Sequence, residues 1–158
     1  MIALLTNPPA PLSLRADLLE FRKPRPPPAL PEQIWKLHKI IATGKLSGRL
    51  RWELRLLENE LKRARIVAPE DVPFDVITMN TRAELLDLES GEHMEFTLVL
   101  PRDENINDGK ISVLAPLGTA MLGYRVGDEF QWHVPHGIRR LKVTRIYFQP
   151  EAELKKAA

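Results

Sequence analysis

Two prolines, Pro69 and Pro73, divide this chain between two hydrophobic rhythms, and no single regular element satisfies both. Before them Leu50, Leu54, Leu57, Leu61 and Ala64 recur at steps of four and three, the spacing of one helix face. Beyond them apolar and polar residues alternate with a period near two, as in Glu92 to Leu100 and Ile138 to Phe148. The stretch Ala68 to Pro73 therefore reads as a hinge, because each proline biases its predecessor to extended backbone. The front is helical and the back is sheet.

The helical front has two parts. Pro31 opens a first helix over Glu32 to Ala42, with Ile34, Leu37 and Ile41 on one stripe and Trp35 and His38 beside it; Gly44 closes it. The leucine stripe from Leu50 onward makes a second, longer helix, with Glu58 and Lys62 placed to support its solvent side. A connection of about six residues folds such helices back as an antiparallel hairpin, stripe against stripe. The tip is Lys45-Leu46-Ser47, followed by Arg49, Arg51 and Arg55, so the second helix starts basic. That charge suits either a solvated face or an acidic partner. A leucine stripe also allows weak self-association with a second copy.

Residues 1–30 precede this hairpin and hold most of a proline-rich front, including Pro24-Arg25-Pro26-Pro27-Pro28. Continuous helix or central strand is excluded there, which leaves a tail or a wrapping arm, with a marginal helical turn over Leu12 to Phe21. The Met1 to Pro9 stretch lacks the basic leader and the long apolar run of a secretion signal. No run approaches the roughly 20 apolar residues of a membrane span, so a soluble, cytoplasmic protein is expected.

In the back half, Phe74 to Asn80, Glu92 to Leu100, Lys110 to Ala115, Glu129 to Pro135 and Ile138 to Phe148 read as strands. Arg82 to Leu88 fits either a turn of helix or a strand. Ser90-Gly91, Gly127-Asp128 and His136-Gly137 are the turns between them. A proline-marked corner at Pro116 leads from a strand into a short helix near 117–123, which Gly123 stops. The fold class is α+β: a short antiparallel helical hairpin (31–67), then an antiparallel sheet domain with one short helix (73–150), then a tail (151–158).

Chemistry is sparse. The chain has no cysteine, which excludes disulfides, thiolate metal sites and a cysteine nucleophile. Asp103, Asn105 and Asn107 have the ligand types of a calcium loop, but Asp108 stands where glycine is needed and Leu114 where a bidentate glutamate is needed. His38, His93, His133 and His136 show no metal-ligand spacing. Neither a phosphate-cradling glycine loop nor a nucleophile elbow occurs, so neither cofactor, metal nor catalytic residue is assigned. Trp35, Trp52, Trp132, Tyr124 and Tyr147 are dispersed and are read as packing. Net charge is only +2, which argues against direct or sequence-specific nucleic-acid binding, although residues 1–72 hold 13 Lys/Arg against 8 Asp/Glu.

Several phrases in fixed order carry a resemblance. Asp75-Val76-Ile77-Thr78-Met79-Asn80, Ile111-Ser112-Val113-Leu114-Ala115-Pro116-Leu117-Gly118, the residues 120–123, Gly127-Asp128 and Pro135-His136-Gly137 resemble the carboxy-terminal domain of the Gre transcript-cleavage factors. Asp75 to Arg82 and Ser112 to Gly118 are closer still to the Rnk group, short-hairpin relatives named as regulators of nucleoside diphosphate kinase. The resemblance implies an FKBP-like sheet domain seated on the secondary-channel rim of core RNA polymerase, with the hairpin directed toward the channel. It places the polymerase contact at Leu114, Ala115 and Pro116, continuing through Leu117 and Gly118. It also implies that cleavage factors carry two acidic residues at the hairpin tip to help hold a catalytic Mg²⁺. Here Thr43 to Arg49, including the tip residues Lys45, Leu46, Ser47 and Arg49, contain no Asp or Glu. The hairpin arms also reach only about 15 to 27 Å. The expectation is a non-enzymatic regulator that binds polymerase, does not stimulate cleavage and competes with other channel factors. Modulation of nucleoside diphosphate kinase or nucleotide pools is the alternative from another class, and prolyl isomerase activity follows from fold analogy alone.

Overall fold

The computed structural model describes residues 29–31, 55, 57–59, 61, 62 and 64–158. The arm before residue 29, the first hairpin helix with Trp35 and His38, Trp52 and the tip residues Lys45, Leu46, Ser47 and Arg49 lie outside the described residues. Of the second helix, residues 55, 57–59, 61 and 62 are helical, as the leucine stripe requires. Two short strands that the sequence did not announce, β1 (Ala29–Pro31) and β2 (Arg65–Val67), pair in parallel on either side of the hairpin segment.

The rest is built on a five-stranded sheet made of β3 (Arg82–Asp87), β4 (His93–Val99), β5 (Lys110–Ser112), β6 (Glu129–Val134) and β7 (Gly137–Phe148). Their spatial order is β5-β4-β3-β7-β6. β3 alternates between buried and less buried positions, with Ala83, Leu85 and Asp87 turned inward, which settles the ambiguous Arg82 to Leu88 stretch as strand. Its turn into β4 is held by Asp87, whose Oδ1 accepts the backbone N–H groups of Glu89 (2.9 Å) and Ser90 (3.2 Å), while Gly91 takes φ 74°. β7 is the longest strand and pairs antiparallel with both β3 and β6.

Three expectations change. The sheet is mixed rather than antiparallel, because the chain from Leu100 to Gly109 crosses over through two 3-10 turns and brings β5 in parallel to β4. Residues 74–80 form no strand beyond one bridge, Val76 with Arg125. Their backbone turns instead: Thr81 Oγ1 accepts the Thr78 N–H at 2.9 Å, Asn80 adopts φ 61°, and Val76, Ile77 and Thr78 are buried in succession rather than alternately. The strand expected over Lys110 to Ala115 stops at Ser112, where the chain turns into helix α1 (Pro116–Met121).

Residues 151–158, expected as a tail, are mostly helix. This helix, α2 (Pro150–Ala157), grips the segment after the hinge. Gln149 Nε2 donates to the carbonyls of Pro73 (2.9 Å) and Val76 (2.7 Å), and Lys155 Nζ donates to Val72 O (2.7 Å). Thr78 Oγ1 donates to the buried Glu151 at 2.7 Å. Those bonds tie the chain terminus to the start of the sheet domain.

The core lies between the inner sheet face, α1 and the 72–81 segment. Ile77, Leu85, Leu98, Val113, Met121, Leu141 and Val143 are fully buried there, and Tyr124 stacks tilted on Phe130 at 4.8 Å. Leu57 and Leu61 belong to the same buried cluster. The last turns of the leucine stripe therefore serve the sheet domain's core and not only the hairpin. Among the described residues no helix is long and apolar enough to cross a membrane.

Candidate partner-docking corner

The proline-marked corner is assembled from the strand end upward. β5 delivers Ile111 and Ser112 into the core, and Val113 N–H donates to Val99 O at 2.9 Å, so the chain stays pinned to β4 for one residue past the strand. Ser112 then folds the turn on itself: its Oγ accepts the Leu114 N–H (3.1 Å) and its carbonyl accepts the Ala115 N–H (3.0 Å). Pro116 enters as the first residue of α1, where a fixed φ suits the helix and a missing N–H costs nothing. From the next turn Thr119 reaches back, its hydroxyl donating to Val113 O at 2.6 Å and its N–H to Ala115 O at 2.9 Å.

Gly118 lets this corner close. A Cβ built on it would stand 1.9 Å from Ser112 O, far inside contact distance, so the α1 backbone approaches β5 more closely than any side chain allows. The five residues expected to contact a partner therefore separate. Pro116 is exposed, and Leu114 and Ala115 are half-buried. Leu117 and Gly118 are buried and hold the corner from beneath.

The corner presents apolar surface without ionisable groups. Beside it, the loop through the 3-10 turns Pro101–Asp103 and Ile106–Asp108 carries exposed Asp103 and Asp108, with exposed Glu104 between the turns. Asn105 organises this loop, accepting the Asn107 N–H at 3.1 Å and donating to Asp108 Oδ2 at 2.6 Å. Among the described residues no group of three His, Asp or Glu side chains is arranged to hold a metal.

Two other clusters escaped the sequence reading. On the outer sheet face, Glu84 accepts from Thr144 (2.7 Å) and Tyr147 (2.8 Å), and His93 Nδ1 lies 3.1 Å from it. Hydrogen bonds from Thr144, then Tyr147, then His93 pull its carboxyl down to about 2. Tyr147, read from sequence as packing, is 40% exposed. At the far end of β3, the fully buried Asp87 meets Arg139 at 2.6 Å; the Glu89 N–H first, then Arg139, hold its carboxyl below the usual range. Arg139 also borders an open groove of about 570 Å³ with Trp132, Val134, Ile138, Glu89 and Ser90. This groove sits by β6, at the opposite sheet edge from β5 and its corner.

A family model, the carboxy-terminal domain of the transcription elongation factors GreA/GreB, matches residues 70–148, which is the sheet together with its corner. The chain belongs to the GreA/GreB family. The regulator of nucleoside diphosphate kinase of Escherichia coli K12 is 43% identical over 97 residues, covering 61% of this chain and 71% of that protein. Transcription elongation factor GreA of Syntrophus aciditrophicus is 34% identical over 101 residues, 64% of this chain and 63% of its own length. A solved GreA/GreB structure from Nitrosomonas europaea, 34% identical, superposes with a TM-score of 0.65 over 78% of this chain and all of that one. The GreA/GreB match thus spans both the parallel β5 crossover and the Pro116 corner.

Proposed function

We propose that this GreA/GreB-family chain is a transcription regulator that binds core RNA polymerase through the Leu114-Ala115-Pro116 corner. On this reading the 73–150 unit is the FKBP-like carboxy-terminal domain, 31–67 is the short hairpin, and the 1–30 extension and the 151–158 helix are appendages of a cytoplasmic factor. The observation that carries it is the corner: a family-matched segment that presents exposed Pro116 beside half-buried Leu114 and Ala115 while its backbone is fastened at Ser112, Thr119 and Gly118. A surface already rigid loses little entropy on docking.

The factor acts as a regulator rather than a catalyst. It occupies the secondary-channel rim, competes with other channel factors, and does not stimulate transcript cleavage, since Thr43 to Arg49 supply no carboxylate for a second metal. Binding of purified protein to core polymerase at low salt tests the proposal, with Pro116→Asp as the discriminating variant: a charge at the apolar contact is expected to weaken binding at least tenfold while leaving the melting temperature nearly unchanged. Unaltered binding by that variant, or none by the native chain, sinks the reading. Cleavage of backtracked transcripts, measured in the same preparation, is expected to stay at the polymerase's own rate.

A second reading comes from the name of the Escherichia coli relative at 43% identity, a regulator of nucleoside diphosphate kinase. Capture of that kinase rather than polymerase by the immobilised chain, with a change in its rate, decides in its favour.

A further inference from the structure

The sheet domain is acidic overall, with 11 Lys/Arg against 15 Asp/Glu over residues 64–158. Its outer sheet face reverses that sign. Strand register places Arg82, Lys110, Arg140, Lys142 and Arg145 on this face, opposite the side covered by α1. Three carboxylates share it: Glu95 lies 3.5 Å from Arg82, Glu84 holds Thr144, Tyr147 and His93, and Glu129 stands opposite Lys142 in the strand register. Among the described residues no carboxylate comes within ion-pair distance of Lys110, Arg140 or Arg145.

These cations form a diagonal band. Lys110 and Arg82 lie in one row, two strand spacings or about 10 Å apart. Arg145 and Lys142 stand opposite Glu84 and Leu86, and Arg140 opposite Gln131, so the band descends β7 in steps of about 7 to 10 Å. At its upper end Phe148, the strand partner of Arg82, is 42% exposed, an apolar anchor beside the charge.

We infer that the outer face of this sheet is a second interaction surface, fitted to an acidic protein segment that lies across β7 and β3. The charge complementarity is local: a cationic band on an otherwise acidic domain draws an acidic chain to this face and repels it elsewhere. Nucleic acid fits less well. Carboxylates are interspersed in the band, the excess is only two charges, and the Tyr147 ring already has Arg82 and Arg145 at 5.5 and 5.7 Å from its centroid. The surface is separate from the Pro116 corner and is occupied independently of it.

The test uses the full chain, a short labelled poly-glutamate peptide and a labelled single-stranded poly-uridine of equal charge, read by fluorescence anisotropy across a salt series. The peptide is expected to bind with an affinity that falls as salt rises, and Arg140→Glu with Arg145→Glu is expected to weaken it about tenfold. Lys110→Glu, on another strand, is expected to weaken it severalfold, which guards against a local folding defect in the double variant. Arg102→Glu and Lys156→Glu, off the band, are expected to leave it within about twofold. Peptide binding that is absent, or that is indifferent to the β7 reversals, overturns the inference, as does tighter binding of the RNA than of the peptide.

Discussion

The corner after β5 and the outer face of the same sheet are both open to solvent, but different forces shape them. At the corner the fixing contacts are buried and short-range: a hydroxyl to a carbonyl between Thr119 and Val113, and a backbone approach at Gly118 that admits no Cβ. On the outer face they are exposed and electrostatic, spread over Glu84, His93, Thr144, Tyr147 and the arginines that flank them. Buried contacts of the first kind fix a shape at all salt concentrations and pH values. Exposed contacts of the second kind are screened and titrate, so they set attraction more than geometry. A chain with both can dock one partner by fit and another by charge.

If the corner is held by fit, it breaks most easily where space runs out. Gly118→Ala places a methyl 1.9 Å from Ser112 O, a backbone atom that yields only if α1 lifts from β5. A loss of about 3 kcal/mol in urea-unfolding free energy is expected. Thr119→Val keeps the volume but leaves the Val113 carbonyl without its 2.6 Å donor, and about 1 to 2 kcal/mol is expected to go. A Gly118→Ala variant as stable as the native chain would mean that the corner is pliable, and its contrast with the outer face would fail.

These two residues also show where sequence stops being informative. The strands with polar-apolar alternation and glycine turns, β4, β6 and β7, are legible because period and turn chemistry are local. Pro116 was legible as a corner for the same reason. The Thr119 bond and the Gly118 approach were not, since they depend on how α1 lies against β5. Phe74 to Asn80 misled through its β-branched residues, whose strand preference lost to the turn in which the Thr81 hydroxyl takes the Thr78 N–H. Helix α2 was missed because its buried anchor, Glu151, meets Thr78, which lies 73 residues earlier. The cations of β7 were visible at spacing near two, but only the strand order shows that Lys110 and Arg82 join them.

The smallest expected effect tests the outer face alone. The Glu84 carboxyl, at about 2 in the folded chain against 4.5 when unperturbed, stabilises the fold above the unfolded value, and that contribution fades as pH drops from about 4.5 toward 2. Glu84→Gln keeps the shape and removes the titration. Urea midpoints measured at neutral pH and at steps down to pH 2 are therefore expected to fall less steeply in the variant than in the native chain, with the two curves converging at the acid end. Asp87, whose carboxyl is also held low, titrates in both proteins and supplies a shared slope, so the difference between the curves belongs to Glu84. Parallel curves would show that Thr144, Tyr147 and His93 merely surround this carboxylate, and would leave the cationic band, rather than the Glu84 cluster, as what distinguishes the outer face.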